Sequence, residues 1–556
     1  MRPSRSRAGV AALAAAAALS LIRLRALPVF GDEAIFLRFA RLVRSDPGTH
    51  AWISIRAAAA PLHTWLLAAG WAFSADPVRS GRLLSVAAGI ASIPAMAWTV
   101  SSVRRRLHPD GEAGLAGVFS AALVAASPFF LWTSRVARVD SLFAAETIFV
   151  AGASLWLAAR IEASGSRRQI FAAAAPFGVA MGALMLTRTA VSYPYWILPA
   201  AALVLRRTRR IGSRALTALV ISLAVGFGLF APFLLAGGPE NVVTRLFHYG
   251  VTRPSVPFAA RVSLAAGNAR MAFESFAAYL SPPVLAGAAA AVALLALRRR
   301  WRALSYLLVW ETVALLPALI FAGDYFPRYA LPAAAPLLAC VALALEEIRR
   351  PVRDEEPFPR RTLAAATLAL LLVAAGGIRA ARFVRNWRTA PWTPIDRWQL
   401  VSGWPAGAAT EEAVAFLKKK AAGEAVLVLT PEISGNPTDS VWLLLEGARG
   451  VDLAFAMDAL HAPLLAPAPG QPDSWQARED LVRGANPRFI PCTSPRSILF
   501  VVSDPILSPS GWRPAGEYFS RLNPGLVPVA RFENPPPPGK PPTDAVAVFS
   551  IRCLAR

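Results

Sequence analysis

The sequence predicts an all-α polytopic membrane bundle of about eleven transmembrane helices, followed by a C-terminal α/β domain. Three observations predict it. Apolar runs of about 18 residues or more recur from the N-terminus to near residue 379, each long enough at about 1.5 Å per residue to cross the hydrocarbon core. The basic residues between those runs fall in short clusters that segregate to one side. Beyond residue 379 the composition turns to mixed α/β patterning. Of the 556 residues 55% are hydrophobic and only 17% charged, and the mean hydropathy is +0.45, which an ordinary soluble domain does not reach. Backbone groups in lipid must be paired within the segment, so the runs are expected to be helices. The short alternating pattern of a membrane β-barrel is absent from the sequence.

The first apolar stretch, about 8–29, follows Met1–Arg7 with its three arginines. No small-residue cleavage site precedes Gly31, so a retained helix is expected rather than a signal peptide. Further helices are expected at about 80–100, 113–131, 139–160, 170–188, 192–206, 214–236, 282–298, 303–322, 329–347 and 362–379. With the N-terminus in the cytoplasm, the even-numbered connections collect the basic clusters. These are Arg104-Arg105-Arg106, Arg160 with Arg167-Arg168, Arg206-Arg207 with Arg209-Arg210, Arg298-Arg299-Arg300, and Arg349-Arg350 through Arg360-Arg361. An odd number of spans then puts the C-terminal domain outside. The transmembrane module is expected over 1–380 and the external domain over 381–556. The long external loops fall at about 30–79 and 237–281, and the first holds two amphipathic pieces, about 32–44 and 60–73, suited to the membrane surface.

The net charge of +24 allows two readings. Nucleic-acid binding is not expected, because the arginines sit between apolar runs, where the positive-inside bias and anionic headgroups account for them. High Ala, Arg and Pro usage points to a GC-rich bacterial genome, hence to the bacterial cell (inner) membrane. Three cysteines make neither a disulfide scaffold nor a zinc ribbon. Cys340 reads as packing, and an external location would permit a disulfide between Cys492 and Cys553. P-loop, dinucleotide-fingerprint, zinc-protease and nucleophile-elbow motifs are absent from the sequence.

The C-terminal region opens with a basic, tryptophan-rich stretch from Arg382 to Trp404. Helices are then expected at Glu411–Lys420 and Val441–Glu446, and strands at Glu424–Leu429, Ile498–Val502, Val527–Phe532 and Ala545–Ile551. Pro535–Pro538 reads as an extended exposed loop.

Several residues could carry chemistry. Asp32 and Glu33 stand together where the first helix leaves the membrane. One reading is an N-cap and a first-turn acid favoured by the helix dipole; the other is a general base for a hydroxyl. Ser134-Arg135-Val136-Ala137-Arg138-Val139-Asp140 places two arginines on the external side, against the charge bias. Interface snorkelling and a cap for Asp140 are the plain reading, and an ionisable group at membrane depth is the functional one. Arg328-Tyr329 on a late external turn reads as an interface anchor or as a phosphate contact. Arg56, His63, His248 and Arg253 are also external, each by itself more readily a solvated residue than a ligand.

Asp32-Glu33 after the first helix, a long first loop, Ser134-Arg135 through Asp140, and Arg328-Tyr329 through Pro332 recur together in this order. The combination resembles the GT-C-fold membrane glycosyltransferases, and within them the protein O-mannosyltransferase-like superfamily that includes the lipid A aminoarabinose transferases. Ala60-Pro61-Leu62-His63-Thr64-Trp65 resembles the Pro-Pro-Leu-x-x-Trp stretch of that family, with Ala60 replacing one proline. Val401–Gly407 resembles the start of the external domain in some bacterial members.

The resemblance implies a sugar donor on a polyprenyl phosphate and a lipid, glycan or protein acceptor, with inversion at the anomeric carbon. It implies Asp32 as base with Glu33 as second choice or positioning partner. Fixed guanidinium groups suit the leaving phosphate, which selects Arg135, Arg138 and Arg328, and more weakly Arg56 and Arg253. Asp140 is expected to hold an arginine in place, with His63, Tyr329 and His248 in support. No cofactor is expected; a carboxylate pair could take a divalent ion, but no metal cluster stands out. The alternative is a lipid-linked-sugar flippase or transporter, for which Glu146 and Glu311 inside predicted helices would mark a polar path.

Overall fold

The computed structural model describes residues 14–551 apart from 58, 72–73, 75, 109–113, 164–165, 206–211, 237, 239–241, 248–257, 351–357, 432–434, 456–496, 505, 509–510, 516–525 and 535–543. Its contacts divide the chain into two units. One comprises the chain up to Leu24 together with Phe39–Thr393, and the other comprises Arg25–Arg38 together with everything from Pro394 on.

The first unit is a helical bundle. Its helices include α1 (Gly31–Ser45, of which Gly31–Arg38 is counted with the second unit), α2 (Leu62–Gly70), α3 (Pro77–Leu107), α4 (Ala116–Ala126), α5 (Pro128–Thr133), α6 (Val139–Ala163), α7 (Arg167–Thr187), α8 (Leu198–Val204), α9 (Gly212–Leu235), α10 (Phe258–Tyr279), α11 (Pro282–Leu297), α12 (Trp301–Phe321), α13 (Leu331–Arg349) and α14 (Phe358–Arg385). Helix α3 packs along α6, α6 along α7, and α7 along α9, while α13 lies among α11, α12 and α14. The span ending in α13 has 89% of its apolar window buried, against 28% for α9 and α14. It is the central helix, and α9 and α14 present leucines outward, as lipid-facing helices do. Backbones approach closely at the α7–α9 crossing, where a Cβ on Gly178 would stand 2.6 Å from the Ser222 carbonyl oxygen.

Among the described residues, seven helices are long and apolar enough to cross a membrane, or eight if α10 and α11 form one bent span. The expectation of about eleven is therefore corrected. The 113–131 run is broken at Ser127, whose extended backbone precedes Pro128 at the start of α5. The 192–206 run opens with a 3₁₀ turn at Tyr193–Ile197 and leaves only Leu198–Val204 as α-helix. In the 8–29 run, helix is described only over 14–21. The 282–298 run is α11, which meets α10 at 113° across Ser281, a non-glycine residue at φ 72°. Hydropathy alone registers neither a break nor a bend. The amphipathic pieces of the first loop are the helices α1 and α2, and 237–281 contains the 22-residue helix α10.

The second unit is built on a mixed five-stranded sheet. Its strands are β1 (Val426–Thr430), β2 (Val451–Phe455), β3 (Ser497–Ser503), β6 (Leu526–Glu533) and β7 (Ala545–Ile551), and β4 (Ile506–Ser508) pairs with β5 (Gly511–Arg513) as a separate hairpin. The order is β2-β1-β3-β7-β6. β1 is parallel to β2 and β3, and β7 is antiparallel to β3 and β6. Helices α15 (Ala408–Ala421) and α16 (Thr438–Leu445) cover the sheet. Ala413, Leu417, Val441 and Leu445 pack on Val428, Leu499 and Val548 to form its core. Every expected strand and both expected helices of this region are present within a few residues; β2 and the β4–β5 hairpin were not anticipated. Pro535–Pro538 and the Cys492–Cys553 pair lie outside the described residues, and Cys340 is a buried free thiol.

Candidate active site

In the first unit, four charged side chains converge at one end of the bundle. Helix α6 begins at Val139, so Asp140 stands in its first turn. The chain entering that helix carries Arg138, whose Nε lies 3.3 Å from Asp140 Oδ2. Helix α7 ends at Thr187, and Arg188 leaves it in an extended conformation; its guanidinium pairs with Asp140 Oδ1. The 3₁₀ turn Pro327–Ala330 ahead of α13 supplies Arg328, with Nε 4.0 Å from Asp140 Oδ2. All four side chains are buried to about 90% or more, at 4% exposure for Asp140 and 5% for Arg328.

Aromatic rings complete the arrangement. The Arg328 guanidinium sits 4.0 Å from the Phe326 ring centroid and 5.3 Å from that of Tyr329. Arg188 also lies 5.3 Å from the Tyr329 ring, on which both cations therefore rest. His63, on α2, is 2% exposed. Burial pushes its imidazole down to about 3, opposed by Asp140 and reinforced by Arg138 and Arg188. It is therefore neutral at ordinary pH. Three guanidinium groups thus surround one carboxylate, and the imidazole felt by Arg138, Arg188 and Asp140 is neutral, which leaves the cluster net positive and suited to an oxyanion. Thr187, next to Arg188, donates to Glu146 Oε1 at 3.0 Å, so one of the acids noted inside the spans braces the turn.

Arg135 points elsewhere. Its guanidinium donates to the carbonyl oxygens of Leu19, Ser20 and Arg23 at 3.1, 2.9 and 3.0 Å. The buried Arg82 donates to that of Leu24 at 2.8 Å. Both satisfy carbonyls at the exit of the first helix, where a cation also suits the dipole. Burial lowers Arg135 to about 10, with Arg82 and Arg23 acting in the same direction, and it stays charged. Arg56 lies in the 3₁₀ turn Ile53–Ala57; its side chain, and His248 and Arg253 altogether, fall outside the described residues. Arg188 was missed because it closes an apolar run. The available signal was its place at the same end of the bundle as Arg138.

The second unit carries the acidic pair. Helix α1 starts at Gly31, so Asp32 stands inside its first turn rather than at the cap. Glu33 is fully buried, and its Oε2 accepts from the Phe30 backbone N–H at 3.3 Å, which is half of a capping box. Asp32 is half-buried. The segment before it is tied to the sheet domain. Glu411 Oε1 accepts from the Val29 N–H and from Arg25, each at 3.2 Å. Arg38 pairs with Asp439 at 2.8 Å and lies 4.8 Å over the Trp442 ring. Gly407 has φ +81°, and a Cβ there would stand 2.1 Å from the Val29 carbonyl oxygen. The Val401–Gly407 stretch is thus part of the seat for the Asp32 segment. Among the described residues no group of three or more His, Cys, Asp or Glu is placed to hold a metal ion.

No family model matches the sequence, and a comparison with curated proteins finds no match. Solved structures do match. ArnT from Cupriavidus metallidurans in the apo state is 15% identical, with a TM-score of 0.58 over 98% of this chain and 97% of that one. ArnT from the same organism bound to undecaprenyl phosphate is also 15% identical, with a TM-score of 0.54 over 97% of each chain. The likeness is one of fold: a polytopic helical membrane bundle with a β-containing domain after it.

Proposed function

We propose that the chain is a membrane glycosyltransferase that moves a sugar from a polyprenyl-phosphate donor to an acceptor hydroxyl on the extracytoplasmic face, with inversion at the anomeric carbon. The observation that carries this reading is the trio Arg138, Arg188 and Arg328 fixed around Asp140 in a bundle of this fold. Guanidinium forks match phosphate oxygens, and a site already organised costs no rearrangement when charge develops. As the bond between the anomeric carbon and the phosphate oxygen breaks, its electron pair stays on the polyprenyl phosphate. The added negative charge falls on the arginines. Asp140 holds them in register and limits their mutual repulsion. The acceptor oxygen forms the new bond, and its proton goes to a carboxylate.

Asp32 is the base in this reading, since it is partly exposed while Glu33 is buried and engaged in the cap. General-base removal from a hydroxyl is worth about 10²–10⁴ in rate. The acceptor is a lipid, a glycan or a protein hydroxyl.

The test is transfer by purified protein in liposomes supplied with a panel of radiolabelled polyprenyl-phosphate sugars and acceptors. Turnover that collapses in Asp32→Asn, with the protein still folded, is the expected result. Protein-dependent movement of the intact donor between leaflets, with no bond transferred, would replace this reading with the flippase one.

A further inference from the structure

Far from the arginine–aspartate cluster, the bundle holds an apolar groove of about 640 Å³ between α11, α13 and α14, within the roughly 300–1,000 Å³ of ligand pockets. Gly287 and Leu294 form one wall, Ala344 and Ile348 the floor, and Leu368 and Leu372 the other wall. Along α11 it runs from Pro283 to Leu294, about 16 Å at about 1.5 Å per residue. Its lining is apolar throughout, so it suits a hydrocarbon chain and not a sugar.

Each of the three helices bordering the groove brings an arginine to the same end of it. Arg298 caps the C-terminus of α11, Arg349 closes α13, and Arg361 near the start of α14 donates to the Arg350 carbonyl oxygen at 3.0 Å. Arg300 reaches Glu347 at 3.0 Å, and Arg349 and Arg350 reach Glu346 at 2.8 and 3.7 Å. Glu346 is also shared with Arg104 at 3.3 Å. Glu346 is thus divided among three arginines, while Glu347 is shared by Arg300 and His108. Arg350, just past the end of α13, is pushed below the usual arginine range by burial and by the neighbouring Arg104 and Arg300, partly offset by Glu347 and Glu346. Trp301, 59% exposed beside this ring, marks the headgroup level.

We infer that this groove is a binding site for an anionic phospholipid, with one acyl chain between α11, α13 and α14 and the headgroup phosphate on Arg298 and Arg350. The apolar channel and the cationic rim are continuous, since Leu294 is one helical turn from Arg298 and Ile348 is two residues from Arg350. A basic pocket between transmembrane helices at the membrane surface is a headgroup site by its chemistry. The inference does not depend on the proposed glycosyl transfer.

The experiment is native mass spectrometry of the full chain released from nanodiscs of mixed phosphatidylglycerol and phosphatidylcholine, with polyprenyl phosphate added as competitor in a second arm. Preferential retention of phosphatidylglycerol is expected. Arg298→Gln and Arg350→Gln should each lower it about fivefold, the worth of one arginine at an anionic surface. Gly287→Leu should abolish retention: a Cβ at 287 meets only Leu372 methyl carbons, at 3.5 and 3.6 Å, so the added side chain grows into the groove without breaking the fold. Equal retention of the two phospholipids, undiminished retention in Gly287→Leu, or displacement by equimolar polyprenyl phosphate would each overturn the assignment.

Discussion

The side-chain amide of Asn436 donates to the carbonyl oxygen of Val29 at 3.0 Å, and also to that of Pro405 at 2.9 Å. A residue of the sheet domain thereby sets the backbone three residues before Asp32. A base displaced by about 1 Å can cost about 10²-fold in rate. Asn436→Ala is therefore expected to lower kcat about 10–100-fold while leaving donor affinity unchanged. Steady-state kinetics with donor and acceptor varied in turn check this; a rise in KM alone would assign Asn436 to substrate binding.

The two acids of α1 should separate. Asp32→Asn is expected to abolish transfer and leave the melting temperature near wild type. Glu33→Gln loses a charged cap on the Phe30 N–H, which costs about 1 kcal/mol of stability, with activity retained in the fraction that folds. Thermal melts in detergent alongside turnover distinguish the pair.

Asp140→Asn is expected to be the most damaging change in the bundle. It leaves Arg138, Arg188 and Arg328 buried together without their shared carboxylate, and removing one partner of a buried ion pair costs about 3–5 kcal/mol. Loss of folded protein on size-exclusion chromatography, partly rescued by added polyprenyl phosphate, is the expected outcome.

Two buried groups, Asp544 in the sheet domain and His63 in the bundle, should answer pH in opposite directions. In the sheet domain, burial pushes the Asp544 carboxyl up to about 7, against hydrogen bonds from Ala409, Asn534 and Ala408. Its folded value lies above the unfolded one, so its stabilising contribution is full below about pH 4 and lost as pH rises through about 7. Asp544→Asn should flatten that dependence. His63 has a folded value of about 3, below the unfolded value of about 6.5. Its contribution is full above about 6.5 and lost as pH falls toward 3. Hydrogen exchange corrected for intrinsic rates, compared between wild type and Asp544→Asn in the sheet domain and between wild type and His63→Gln in the bundle, reads both slopes.

Much of this was legible in the sequence, for physical reasons. Strands such as Val527–Phe532 and Ala545–Ile551 announce themselves by β-branched and aromatic residues between turns. Arg138 and Arg328 stood out as external cations against the positive-inside bias, and Asp140 as a carboxylate at the start of the next helix. Their convergence did not, because it depends on how α6, α7 and the turn before α13 pack. Arg188 stayed hidden for the same reason, and Arg135 looked like its neighbour although its guanidinium turns to the carbonyls of Leu19, Ser20 and Arg23. The span count failed where Ser127-Pro128 and Tyr193-Pro194 interrupt runs that hydropathy reads as continuous.

The most direct test of the central claim is the affinity for polyprenyl phosphate of wild type, Arg188→Ala and Arg135→Ala in detergent. Arg188→Ala should weaken binding by about 1.5–3 kcal/mol, the worth of a hydrogen bond to a charged group, while Arg135→Ala lowers stability and leaves affinity intact. Equal binding by wild type and Arg188→Ala would contradict a phosphate site on this cluster.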